Sequence, residues 1–361
     1  MGWALYDDSL SSQWNELVEA NPHGRFIHLI GFKKVVRKCY GLEPIYLAYL
    51  ERNRILSLFP GFFHRSFLLG KKIISQPFSE YGGLLFRPDL SAEKKLIITA
   101  EFLKMMEKIL DIKRYGALEM RHPLDLLEME FTKMEILGFE PRKLFRRSWR
   151  KIEAPENIWL RLDPKERNII RKAQAYQLKF KPIEDLESLR REFYPLYLRT
   201  MKRLGSPAHP FLYFSGLWQQ LRPNLQVFII VYKARPVAAL TVWAVGRTVH
   251  ITDMVSDERF FYVKPNDLAI WAFLNWAYER GFKLFDFGPV RYRGQEIFKK
   301  KWLLTVDDYY YVYLTRNSPK VKNIFSERSR LTQVAPFFWK YILPLPVTSL
   351  IGRYFRREMA L

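Results

Sequence analysis

A single cysteine, Cys39, stands in 361 residues, so neither an intrachain disulfide nor a cysteine-rich zinc site can form. A reducing compartment suits such a chain. No run of about 18 uncharged apolar residues occurs, which argues against a spanning helix. The opening Met1-Gly2-Trp3-Ala4-Leu5-Tyr6-Asp7-Asp8 has neither the basic nor the apolar region of a secretory leader. Tyr6 also stands where N-myristoylation wants Ser or Thr. The six histidines (His23, His28, His64, His122, His209, His250) show no metal-ligand spacing, so no metal is expected. Also missing are a Walker lysine loop, G-x-G-x-x-G, H-E-x-x-H and G-x-S-x-G.

What is present is aromatic and basic. Twenty-eight Phe, 20 Tyr and 10 Trp within a 48% hydrophobic composition are ample for burial, and the length suits two domains plus an appendage. Fifty-nine Lys and Arg against 37 Asp and Glu leave a net charge of +22. Such a surplus attracts nucleic acid, membrane phosphate or a phosphorylated substrate.

Two stretches share one grammar. Pro44–Leu50, a Glu51-Arg52-Asn53 turn and Arg54–Pro60 read as strand, turn, strand, as do Val227–Tyr232, Lys233-Ala234-Arg235 and Pro236–Val242. A third β-rich run follows each, Lys72 to Leu85 and Thr248 to Val255. Then comes a helix, from Ala92 to Leu110 in one half and from an Asn266 cap to Gly281 in the other. The closing strands are Tyr115–Arg121 and Phe282–Gly288. This β-β-β-α-β pattern, met twice, predicts an internal duplication. Two further helices are expected at Lys165 to Gln177 and at Asp185 to Leu204, the latter bent at Pro195 and stopped by Gly205. A basic segment, Glu140 to Lys151, places the boundary near residue 150. The expected organisation is residues 1–150, residues 151–317, and a basic-aromatic tail over 318–361.

Three segments stand out chemically. Ser75-Gln76-Pro77-Phe78-Ser79-Glu80-Tyr81-Gly82-Gly83 puts two glycines at a strand edge, where backbone can approach a ligand or simply turn. Arg199 to Pro210 runs a basic helix end, with Arg203, into a rigid loop carrying Ser206 and His209. Phe285-Asp286-Phe287-Gly288 ends a buried strand, and five cations and three aromatics follow within the twelve residues Arg291 to Trp302. Cations neutralise phosphate and aromatic faces stack on bases. An ordinary turn, a helix stop and a solvated charged face are the competing readings of the three.

Jointly these residues resemble the Fem-type transferases: Tyr81-Gly82-Gly83, Arg203-Leu204-Gly205-Ser206-Pro207, and Phe285-Asp286-Phe287-Gly288 with Phe298-Lys299-Lys300-Lys301-Trp302. More narrowly they resemble the FemAB-like group associated with exosortase and exopolysaccharide loci, over roughly residues 10 to 345. The resemblance implies an α/β fold of two tandem GNAT-like domains. It also implies transfer of an aminoacyl or acyl group to an amine of a cell-wall or polysaccharide precursor. Asp286 or His209 would handle the proton. Arg203, Arg291, Arg293, Lys299 and Lys300 would hold phosphates, beside Ser206 and Trp302, and Tyr81, Gly82 and Gly83 would shape the acceptor site. The donor would be aminoacyl-tRNA or acyl-CoA, with no permanently bound cofactor, and the acceptor a phosphorylated or lipid-linked precursor. Two departures stand: Pro289-Val290-Arg291 replaces the group's Ser-Lys pair, and no coiled-coil arm is seen. Tyr262-Val263-Lys264-Pro265-Asn266, with no glycine, disfavours a simple acetyl-CoA loop. A CoA-dependent acyltransferase of exopolysaccharide synthesis and a noncatalytic RNA-binding protein stay open as alternatives. The expected location is cytoplasmic, with peripheral contact at a membrane surface. That contact would come from the tail, where Lys320, Lys322, Arg328, Arg330, Lys340, Arg353, Arg356 and Arg357 face only Glu327 and Glu358; the competing reading is a tail that packs its aromatics onto the second domain.

Overall fold

The computed structural model describes residues 1–129, 131–315 and 336–360. The chain forms two compact units, and the division falls inside two strands. The first unit holds Met1–Leu144, the strand residues from Tyr309 and the final turns from Arg353. The second holds Phe145–Asp308 and the described residues from Pro336 to Gly352.

In the first unit the strands are β1 (Gly2–Leu5), β2 (Glu43–Glu51), β3 (Arg54–Ser66), β4 (Gly70–Ser75), the short β5 (Leu85–Phe86) and β6 (Ala117–Arg121). β1, β2, β3 and β4 pair antiparallel in that order, and β4 pairs parallel with β6 across the helix that links them. Alternation along β2 divides its faces. Ile45, Leu47 and Tyr49 meet Phe102 and Met106 of α3 (Ala92–Lys113), counting α1 as Ser11–Ala20 and α2 as Ile30–Tyr40. On the opposite face Tyr46 stacks on Trp14 of α1, ring centroids 5.3 Å apart. α3 starts where the Ser91 hydroxyl accepts from the Lys94 N–H.

The second unit repeats that order. It comprises β7 (Glu140–Lys151, shared with the first unit), β8 (Lys179–Pro182), β9 (Leu225–Tyr232), β10 (Arg235–Val245), β11 (Thr248–Ser256) and β12 (Leu284–Val290). β9, β10 and β11 are antiparallel neighbours, and β11 pairs parallel with β12. The helices are α4 (Pro164–Ala175), α5 (Tyr194–Leu204), α6 (Phe211–Leu221), α7 (Pro265–Glu279), α8 (Arg293–Lys300) and, shared with the first unit, α9 (Leu345–Met359). α7 is the buried helix expected, packing Ile270, Phe273 and Leu274 on Leu240, Val242 and Phe285. The expected mixed sheet flanked by helices is therefore present, with the same strand directions in both halves.

Several local expectations change. Asn266 is not the cap of α7; Lys264 takes that place in a left-handed conformation, Pro265 fills the first turn, and the Asn266 amide turns to the Ser256 hydroxyl at 3.3 Å. The bend before Pro195 is a wide turn over Leu189–Phe193, which absorbs the N–H that proline lacks. The first unit's opening stretch ends at Leu144, inside β7 and close to the boundary expected near residue 150. The strand β13 (Thr305–Thr315) is not simply the last of the second half, because Tyr311–Thr315 pair with Arg121–Ala117 and complete the first unit. The tail is likewise no separate appendage: from Arg353 onward it joins the first unit, where Arg121 donates to the Ala360 carbonyl at 2.6 Å. Lys320, Lys322, Glu327, Arg328 and Arg330 lie outside the described residues.

Candidate functional site

In each unit, two parallel strands part. β11 and β12 stay in register for only three pairs, Thr248↔Leu284 to His250↔Asp286. Beyond them β12 leans to β7, through Pro289↔Arg147 and Val290↔Arg146, while β11 follows β10 as far as Ser256. A bulge at Thr252 bends β11 at the divergence, since Thr241 faces Asp253 while Val242 faces Ile251. Trp243 Nε1 holds the bulge by donating to the Thr252 hydroxyl at 3.1 Å. Ligands collect where parallel strands separate at their carboxyl ends.

An open cavity of about 390 Å³ begins at that end of β11. Ser256, Asp257, Glu258 and Arg259 line it from the chain just past the strand, Arg199, Lys202 and Arg203 from α5, and Lys340, Tyr341 and Leu345 from the C-terminal segment. Five cations thus face two carboxylates. Asp257 is bound by Arg259, 2.6 Å between nitrogen and oxygen, and that hydrogen bond holds its carboxyl below the usual range. Arg203 reaches Glu258 at 3.8 Å and lies over the Phe261 ring at 5.4 Å. The arrangement suits a phosphate-bearing ligand whose charge the partly paired cations would neutralise.

Of the expected residues, Arg203 sits in this cavity. Ser206 follows it in the loop, its N–H donating to the Met201 carbonyl at 2.9 Å. His209 is buried, its ring stacked on Tyr213 at 3.9 Å and its N–H donating to the Tyr197 hydroxyl at 3.0 Å. Asp286 is fully buried; its carboxylate accepts from the Gly288 N–H at 2.9 Å and lies 3.9 Å from the Arg147 guanidinium. In this structure both residues are parts of the packed frame.

The cluster from Arg291 to Trp302 comes apart. Lys299 is turned inward, where its buried ammonium donates to the carbonyls of Phe287, Gly288 and Pro289 at 2.5, 3.2 and 2.9 Å. Trp302 is no stacking platform, because it is buried in the core of the second unit. Arg291 and Arg293 are exposed, and Lys300 pairs with Glu296 at 2.9 Å. Beside them is a recess of only about 10 Å³, room for one water at most.

The Tyr81-Gly82-Gly83 segment is packed within the first unit. Tyr81 is buried beside His122, which stacks on Tyr309 at 4.4 Å. A Cβ on Gly82 would strike the Ser75 carbonyl, and one on Gly83 (φ +96°) would strike Pro123. The glycines admit the chain's own backbone, and the fork after β4 is packed by its own loop.

Sequence reasoning missed Arg259 and Lys340, which only folding brings to the cavity. Arg199 and Lys202 carried a readable signal, since with Arg203 they fall at i, i+3 and i+4 on one helix face. It also missed a small group in the first unit. His23, Asp125 and Glu128 gather within 4.8 Å, although the Asp125 carboxylate already accepts from Asn21 and the Phe86 N–H.

An acetyltransferase (GNAT) domain family matches residues 165–300, less than half of the chain. No curated protein matches the sequence. Among solved structures, FemX aligns with a TM-score of 0.69 at 13% identity, covering 88% of this chain and 98% of that one. L-PGS from Bacillus licheniformis aligns at 0.56 and 12% identity over 100% and 99%. A tandem GNAT protein from the clavulanic acid biosynthesis pathway aligns at 0.50 and 9% identity over 87% and 98%. These neighbours share the fold, and the domain match supports an acyltransferase.

Proposed function

We propose that this chain is an N-acyltransferase of the Fem kind, with the reacting centre at the fork of β11 and β12 and the donor's phosphates in the adjoining basic cavity. The observation that carries the reading is the cavity itself: five cations at the carboxyl end of a parting parallel strand, four of them (Arg199, Lys202, Arg203 and Arg259) inside the segment that the GNAT domain family matches. The donor is an aminoacyl or acyl ester or thioester on a phosphate-bearing carrier, tRNA or coenzyme A. The acceptor is an amine of a cell-wall or polysaccharide precursor. The amine nitrogen attacks the donor carbonyl, the new C–N bond forms, the C–O or C–S bond breaks, and the amine proton ends on the leaving group or solvent. Holding donor and acceptor together supplies much of the acceleration in such a reaction.

The motifs that resemble Fem-type transferases, Tyr81-Gly82-Gly83, Arg203 to Pro207 and Phe285 to Gly288, are what favours a Fem-like donor over simple acetyl transfer. Lys264 and Pro265 at the start of α7 point the same way, since a proline there removes a donor from the place where a pyrophosphate would sit. The test offers the protein aminoacyl-tRNA or acyl-CoA together with a nucleotide-linked muropeptide and looks for the amide product by mass. Product from aminoacyl-tRNA is expected. Charge removal at Arg199, Lys202 and Arg203 should raise KM for the donor by about tenfold or more and leave KM for the acceptor near its original value. Product from acyl-CoA alone would replace the donor. Tight RNA binding with no product from either donor would overturn the reading in favour of a noncatalytic RNA-binding protein.

A further inference from the structure

The residues from Pro336 to Met359 have two unlike sides. One side is docked. Trp339 and Thr348 are buried, Gly205 lies so close to Pro336 that a Cβ there would sit 2.8 Å from the Pro336 carbonyl oxygen, and Gly352 packs against the Ala208 backbone. The other side is apolar and faces solvent. Phe337, Phe338, Tyr341 and Ile342 are each more than half exposed. On α9, Val347, Leu350 and Tyr354 follow at i, i+3 and i+7, one stripe of the helix, with Leu350 at 74% exposure. Near the end of α9 the Glu358 carboxylate accepts from the Phe67 N–H at 2.9 Å.

Charge accompanies this stripe. Lys340, Arg353, Arg356 and Arg357 lie in the same segment, and Glu358 is the only acid between residues 336 and 360. That carboxylate is engaged by the Phe67 N–H and by Arg357 at 3.6 Å. No described helix is long and apolar enough to cross a membrane, and the prolines at 344 and 346 interrupt the segment. An exposed aromatic face with basic flanks and almost no acid fits the headgroup layer of an anionic bilayer. Rings settle at the interface, cations meet lipid phosphate, and the helix lies in the plane.

We infer that Pro336–Met359 is a membrane-docking face that seats the protein on an anionic phospholipid surface. The inference stands apart from the acyl-transfer reading, because it rests on exposure and charge alone. The segment also lends Lys340, Tyr341 and Leu345 to the cavity lining, so docking would bring the mouth of the cavity to the lipid surface.

The experiment is co-sedimentation of the full chain with phosphatidylglycerol-containing vesicles and with pure phosphatidylcholine vesicles, over a salt series. Wild type should pellet with the anionic vesicles and be released by salt. A Phe338→Ser/Tyr341→Ser/Leu350→Ser/Tyr354→Ser variant removes only exposed groups, so its circular dichroism and melting should match wild type. Its partitioning should fall by roughly tenfold or more. Arg353→Gln and Arg356→Gln should each weaken partitioning by about fivefold and flatten the salt dependence. Wild type left in the supernatant at low salt would overturn the inference, as would equal pelleting of wild type and a folded serine variant. A dimer that the serine variant breaks, with no vesicle binding, would assign the face to a second copy and overturn it as well.

Discussion

Lys299 closes the end of β12 by donating to the carbonyls of Gly288 and Pro289, 3.2 and 2.9 Å from its ammonium. A lysine one position before Lys300 and two before Lys301 looks like part of a cationic run, yet it is a buried strut. Lys299→Met would remove the ammonium from the Pro289 carbonyl and leave Gly288 only the Ser148 hydroxyl at 3.2 Å, and should cost about 1–3 kcal/mol in urea unfolding. Lys300→Gln breaks only a surface pair with Glu296 and should leave the midpoint close to wild type. Equal effects of the two substitutions would contradict the strut.

The polyanion site should follow the cavity rather than the sequence cluster. With heparin or a single-stranded oligonucleotide as probe, Arg199→Gln/Lys202→Gln/Arg203→Gln should reduce the slope of log K against log salt by roughly two. Arg291→Gln/Arg293→Gln/Lys300→Gln should leave it nearly unaltered. The reverse ranking would return the site to the exposed cations around α8.

Gly83 should resist substitution for reasons of backbone and packing alone. Its φ of +96° and the closeness of Pro123 both exclude a side chain, so Gly83→Ala should destabilise by about 1–3 kcal/mol. A melting temperature equal to wild type would show that the loop can relax around a methyl group.

Two buried histidines should make the protein acid-sensitive before its carboxylates titrate. Burial, with the Arg25 charge beside it, holds His28 down to about 3, and burial holds His64 down to about 4 although its ring meets the Arg357 carbonyl. Unfolded histidine titrates near 6.5. The unfolded chain therefore binds protons that the folded chain refuses. The stabilisation is complete above about pH 6.5 and is lost as pH falls toward the folded values. Urea midpoints should fall between about pH 6.5 and 5, and His64→Gln should flatten that slope. A flat midpoint across this window in the wild type would show that neither ring resists protonation.

The duplication was legible in the chain because strand-turn-strand alternation, helix periodicity and closing strands are local signals, set by residues within reach of one another. Pro44–Pro60 and Val227–Val242 carried it, and β2–β3 and β9–β10 follow it closely. The net charge of +22 was likewise legible without a structure. What the sequence could not show was which cations keep their charge for a ligand. Lys299 and Lys300 are chemically identical neighbours on one helix, and the helix's rotation turns one into the core and leaves the other in water. Nor could local pattern bring Arg259 and Lys340 beside Arg203, or give the last strand, β13, to the first unit through Tyr311 and Arg121. Those are pairings over long sequence separations. They depend on where the parallel strands part and on which backbone edges remain to be satisfied, and only the packed chain decides both.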